Sequence, residues 1–122
     1  MDIEQVCNVD IPFTKWDDEF VYKTDKDGYF KSAPKPPKPG GSGTGKKLKI
    51  AGKMVAPKDV TVSGTFIFNG TKKTFPTTKA GVVVNMGTYL IKDQNTASLE
   101  GEIDPPTPNV SVKFDVTFQP CV

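Results

Sequence analysis

Histidine and arginine are both missing from this chain: there is no His, and all 16 basic residues are lysine. Without imidazole there is no Ser-His-Asp or Cys-His arrangement, no histidine metal ligand and no histidine pH switch. Without guanidinium there is no bidentate fork for guanine, phosphate or a carboxylate substrate. Net charge is low as well, at +2, too little to hold a polyanion, so no nucleic-acid partner is expected. Long apolar runs are absent. Nothing approaches the roughly 18 residues a membrane-spanning helix needs, so no membrane insertion is expected. The opening Met1-Asp2-Ile3-Glu4-Gln5 is acidic and does not read as a cleaved signal.

Cysteine is scarce too, with Cys7 and Cys121 almost at the two ends. Two thiols without histidine cannot make a zinc site. If bridged, they close a loop over nearly the whole chain, for which the chain-entropy treatment gives about 4–5 kcal/mol. The alternative is a pair of buried free thiols in a reducing compartment.

What the sequence does have is alternation. Val110, Val112, Phe114, Val116 and Phe118 alternate with Ser111, Lys113, Asp115 and Thr117, which is one buried and one wet face of a strand. Leu48 and Ile50 alternate with lysines, Val60, Val62, Phe66 and Phe68 share a face, and Ala97, Leu99 and Ile103 alternate with Ser98, Glu100 and Glu102. Asn69-Gly70 is the strongest short hairpin signal. Phe20–Lys23 and Tyr29–Lys31 flank Thr24–Gly28, a second expected hairpin, with Trp16 a core anchor before it. Gly81–Ile91 is an apolar stretch interrupted by Gly87, expected as a central strand with a bulge, or as two strands. With 36% hydrophobic residues, 11 Gly and 11 Pro in 122 residues, the expectation is all-β. It is a single domain over 1–122, an antiparallel β-sandwich or small barrel of seven to nine strands.

Residues 32–47 form a Pro/Gly/Lys-rich projecting loop or arm. Pro34–Pro39 favours a stiff polyproline II rod, followed by flexible glycines. Pro34, Lys35, Pro36, Pro37, Lys38, Pro39, Lys46 and Lys47 are its candidate partner-binding residues, with lysines suited to an acidic groove. Pro34–Pro37 and Pro36–Pro39 also satisfy P-x-x-P, a match that lysine-proline linkers produce by chance.

Other motifs are better explained by turns and faces. Gly40–Lys46 matches G-x-x-x-x-G-K, but a proline rod precedes it, Lys47 stands where Ser or Thr belongs, and a strand pattern follows. Asp25-Lys26-Asp27-Gly28 starts like a calcium loop, yet the twelfth position is Pro36. Glu100, Glu102 and Asp104 share a strand face opposite Leu99 and Ile103, so they point into water, as the Asp17–Glu19 run should. Asn69-Gly70-Thr71 and Asn109-Val110-Ser111 are glycosylation sequons that matter only in a secretory pathway. The phenylalanines alternate with valines and read as core, not as base-stacking platforms.

No nucleophile, base, cofactor or metal set can be assembled. The sequence therefore points to a non-catalytic structural or assembly protein, a small β-domain docking on a larger protein assembly of the virion-decoration, tail or secretion-apparatus kind. The alternative is a secreted or surface lectin- or adhesin-like module closed by Cys7–Cys121. The expected partner is protein, a larger assembly or neighbouring subunits, and a homo-oligomer is compatible with this. A virion or other extracellular assembly is the favoured location.

Overall fold

The computed structural model describes residues 6–36, 47–55, 59–91 and 95–122. Eight strands run in chain order: β1 Trp16–Lys23, β2 Tyr29–Lys31, β3 Lys47–Val55, β4 Thr61–Phe68, β5 Thr71–Lys79, β6 Val83–Leu90, β7 Ala97–Asp104 and β8 Ser111–Cys121. They form two four-stranded antiparallel sheets, ordered β1-β8-β3-β6 and β2-β7-β4-β5. The fold is a β-sandwich, and the barrel alternative falls away because, among the described residues, no strand pairs across from one sheet to the other.

Alternation fixes which side chains fill the space between the sheets. Leu48, Ile50 and Met54 of β3 and Val112, Phe114, Val116 and Phe118 of β8 are buried from one side. Val62, Phe66 and Phe68 of β4 and Leu99 and Ile103 of β7 are buried from the other. Val110, before β8, is only partly buried, while Lys113, Asp115 and Thr117 lie on the outer face. The layers meet through rings: Phe68 lies 6.2 Å from Phe118, and Phe75 lies 5.8 Å from Phe114. Trp16 stacks on Phe118 at 5.1 Å, closing the core at one end. Such stacked and tilted ring pairs add to the area they bury.

The Asn69-Gly70 hairpin joins β4 to β5, with Asn69 at φ 51° and Gly70 at φ 81°. Both positive values are what a two-residue reversal matching strand twist requires. The second expected hairpin does not form. β1 pairs with β8 and β2 pairs with β7, so Thr24–Gly28 carries the chain from one sheet to the other. The turn chemistry expected there does form: Asp25 Oδ1 accepts from the N–H of Asp27 at 2.8 Å and of Tyr29 at 3.0 Å. A turn reverses the chain without dictating which strand it then pairs with. Gly28, at φ 78°, packs on the β7–β8 connection, where a Cβ would stand 2.9 Å from Pro106 Cα.

β6 differs from expectation in the same way. It is one strand with a bulge, but it lies at a sheet edge and not at the centre.

Candidate docking surface

The arm is anchored at both of its described ends. Lys35 makes a two-hydrogen-bond bridge with Ala97, N to O at 3.0 Å and 2.8 Å in return. Its ammonium sits 4.3 Å above the Phe20 ring and 3.5 Å from Asp18. Pro34 and Pro36 flank that bridge and are exposed. Lys47 opens β3 opposite Cys121 and Leu90, and its Nζ donates to the Val6 carbonyl at 2.8 Å. Lys35 and Lys47 are thus engaged within the fold. Pro37, Lys38, Pro39 and Lys46, with the G-x-x-x-x-G-K match, lie outside the described residues. The chain after that match runs on as β3, where a phosphate loop needs a helix.

The two chain ends form a built surface beside Lys47. Cys7 and Cys121 are joined, with Cα atoms 5.5 Å apart. Val9 exchanges hydrogen bonds with Val122 at 3.2 and 3.0 Å, and Asp10 bridges to Cys121. Residues 8–11 therefore continue the β1 side of the sheet along the end of β8. Pro12 to Lys15 interrupt that pairing as a bulged loop, and Phe13 stands at its tip. Phe13 is fully exposed, at 104%, and its backbone sits at φ 63°. Positive φ is a strained conformation for a bulky side chain. It is held by the Thr14 hydroxyl donating to the Ile11 carbonyl at 2.7 Å and by Gln119 Nε2 donating to the same oxygen at 3.0 Å. Val6, Val9 and Val122 are also exposed here. Nothing in the sequence pattern marked Phe13. It falls outside every alternating run, and its exposure follows from a backbone twist that composition does not reveal.

The outer faces of the sheets are mostly polar and charged, with Val21, Tyr29, Val55, Val83 and Leu90 exposed among those groups. On the β1-β8-β3-β6 sheet, Lys113 lies 3.1 Å from Glu19 and 3.6 Å from Asp115. The hydrogen bond to Glu19, with both carboxylates nearby, holds its ammonium above the usual lysine range. An open cleft of about 920 Å³ lies on this face, over Ala51 and between Asp17, Lys53 and Thr117. On the other sheet, a cleft of about 500 Å³ lies between Tyr29, Lys31 and Thr74. Two glycines paired across strands, Gly64 and Gly101, lie beneath it. A Cβ on Gly101 would collide with the Ser63 carbonyl oxygen and stand 2.9 Å from Gly64 Cα, so the close packing of these strands requires glycine. Glu102 and Asp104 are exposed, and Glu100 reaches Lys31 at 4.0 Å. Among the described residues, no three His, Cys, Asp or Glu side chains converge as a metal site. Asn69 spends its side chain on Asn95 and on the Thr96 N–H at 3.1 Å each, which makes the first sequon a structural turn.

Fold and surface together define a class: an all-β sandwich with charged outer faces and an apolar, disulfide-tied end. No family model and no curated protein matches the chain. Among solved structures it is similar to a chain described as dimeric latent PorU from Porphyromonas gingivalis, at 11% identity and a TM-score of 0.37. That similarity covers 95% of this chain and 14% of the other, so this chain spans a small part of that protein's length.

Proposed function

We propose that this chain is a non-catalytic docking module, a small β-sandwich that attaches to a larger protein assembly through its disulfide-tied end. The observation that carries this reading is Phe13, a fully exposed ring on a strained backbone that two hydrogen bonds to Ile11 hold in place. Strain kept by dedicated contacts, with an aromatic side chain presented to solvent, is the arrangement of an interface anchor. The exposed Val9 and Val122 beside it supply apolar rim area.

The test is sedimentation of extracts from the native source, comparing wild type with Phe13→Asp. The module should travel with a large particle, and the variant should be released from it while keeping its melting temperature. A wild-type protein that sediments alone as a small species would sink the reading.

The Cys7–Cys121 bridge supports a second version, a secreted or surface binding module, because such bonds persist in oxidising compartments. Thiol titration of protein taken directly from its source separates the two. Absence of free thiol favours the extracellular module.

A further inference from the structure

The four sheet edges of this molecule are not alike. An exposed edge offers unpaired N–H and C=O groups to any extended chain, and proteins guard such edges with charge, proline, bulges or short strands. The β5 edge carries Lys72, Lys73 and Lys79, and Pro76 falls where its pairing with β4 shifts register. The β2 edge is three residues long and runs on into the Pro34–Pro36 segment bridged at Lys35. The β1 edge carries Asp17, Asp18, Glu19 and Lys23, with Lys35 reaching Asp18. The β6 edge, Val-Val-Asn-Met-Gly-Thr-Tyr-Leu, has no charged residue and no proline, and of these guards it carries only the bulge at Met86–Gly87. Val83 and Leu90, at its two ends, are 64% and 49% exposed. No described strand lies beyond it.

Its bulge makes this strand complementary to itself. Facing β3, Val83 pairs with Lys53, Asn85 with Ala51, Thr88 with Lys49 and Leu90 with Lys47. One extra residue is inserted at Met86–Gly87, opposite the step from Ile50 to Ala51. An eight-residue strand without it has first and last residues facing opposite sides of the sheet. With it, Val83, Asn85, Thr88 and Leu90 share both the outer face and one hydrogen-bonding phase, and Val84 and Tyr89 share the other. Laid antiparallel on a copy of itself, the strand sets Val83 against Leu90, Asn85 against Thr88 and Val84 against Tyr89. Outer residues then meet outer residues, and inner meet inner, on either side of the Met86–Gly87 bulge. The bulge is itself held in place: the Gly87 N–H donates to Asn85 Oδ1 at 3.0 Å, and Tyr89 Oη donates to the Met86 carbonyl at 2.7 Å.

We infer that β6 is a self-association edge, pairing antiparallel with β6 of a second copy to make one continuous eight-stranded sheet about a two-fold axis at Met86–Gly87. The absence of charge matters here, because a charge at one position of the edge would need an opposite charge at its symmetry-paired position, and none of the pairs Val83–Leu90, Asn85–Thr88 and Val84–Tyr89 has to be matched in that way. A single-strand contact lies at the small end of specific interfaces, below about 1,200 Å², so the dimer forms in a concentration-dependent way. The Thr88–Leu90 part of this edge adjoins the disulfide-tied end, with Cys7 Sγ 3.9 Å from Thr88 Oγ1, but the pairing does not rest on the docking reading.

The test is sedimentation velocity over a wide concentration range on three proteins. They are wild type, Val83→Glu with Leu90→Glu, and Val83→Lys with Leu90→Lys. In the monomer the new carboxylates would face Lys53 and Lys47, so the acidic variant should fold with an unchanged melting temperature. Across the dimer axis they would oppose each other. Wild type should dimerise, each variant alone should associate at least about tenfold more weakly, and an equimolar mixture of the two should recover the dimer. Wild type that stays monomeric up to about 1 mM would overturn the inference and leave the edge to the strand of a different chain. A dimer that the acidic pair leaves intact would also overturn it, since the copies would then meet elsewhere.

Discussion

Phe114 and Gly52 show how closely single residues are matched in this core. Phe114 is buried from β8, and Gly52 of the neighbouring β3 is buried beside it. A Cβ on Gly52 would collide with the Phe114 ring and stand 2.7 Å from the Met86 methyl. The glycine is there because the ring needs its space. Phe114→Ala should therefore cost roughly 3–5 kcal/mol, since Gly52 has no side chain to move into the hole. A loss under about 1 kcal/mol in urea melts would overturn the assigned register. Thr24 plays the polar counterpart. It is buried, its hydroxyl donates to the Thr107 carbonyl, and it accepts from the Val110 N–H at 3.0 Å. That pins the end of β1 to the turn before β8. Alternation made Phe114 legible as core, but no local pattern distinguishes Thr24 from a surface threonine, because its partners lie more than 80 residues away.

At the scale of elements, β6 is the most informative strand. Its apolar run was legible, and so was an interruption at Gly87, because an isolated glycine in a strand pattern marks a bulge. Its place at an edge was not legible, since apolar content alone cannot tell a doubly covered strand from a bare one. Tyr89 ties the element together, and burial pushes its phenol up to about 12. The folded state therefore holds this proton more tightly than the unfolded chain, whose tyrosines titrate near pH 10. That stabilisation is complete below about pH 10 and is lost as the pH rises toward 12. Burial raises Tyr22 in the same direction. Wild type should lose stability across that alkaline window, and Tyr89→Phe should show a shallower decline in rapid denaturant melts. An identical slope in both proteins would mean that Tyr89 carries none of the linkage.

At the scale of the whole molecule, the ends of the chain are its seam. Cys7 and Cys121 are 114 residues apart in sequence. The Val9–Val122 hydrogen bonds and the Asp10–Cys121 bridge hold the same place without covalent help. Replacing both cysteines with serine should leave the sandwich folded but less stable by about 2–5 kcal/mol, a drop of roughly 8–20 °C in melting temperature. A drop within 2–3 °C would show that these hydrogen bonds alone keep the ends together.

By itself the sequence determined that this is an all-β domain, which residues face inward on most strands, and where β4 turns into β5. Those properties are local, since strand periodicity and positive-φ turn chemistry act between residues a few positions apart. Only the tertiary structure decided that Thr24–Gly28 changes sheets, that Lys35 and Lys47 are engaged in the fold, that Phe13 stands exposed, and that β6 is an edge. Each depends on which strand lies beside which. An antiparallel ladder accepts any partner of the right face and length, so the choice is made by the fit of rings and glycines between sheets, which no single strand carries.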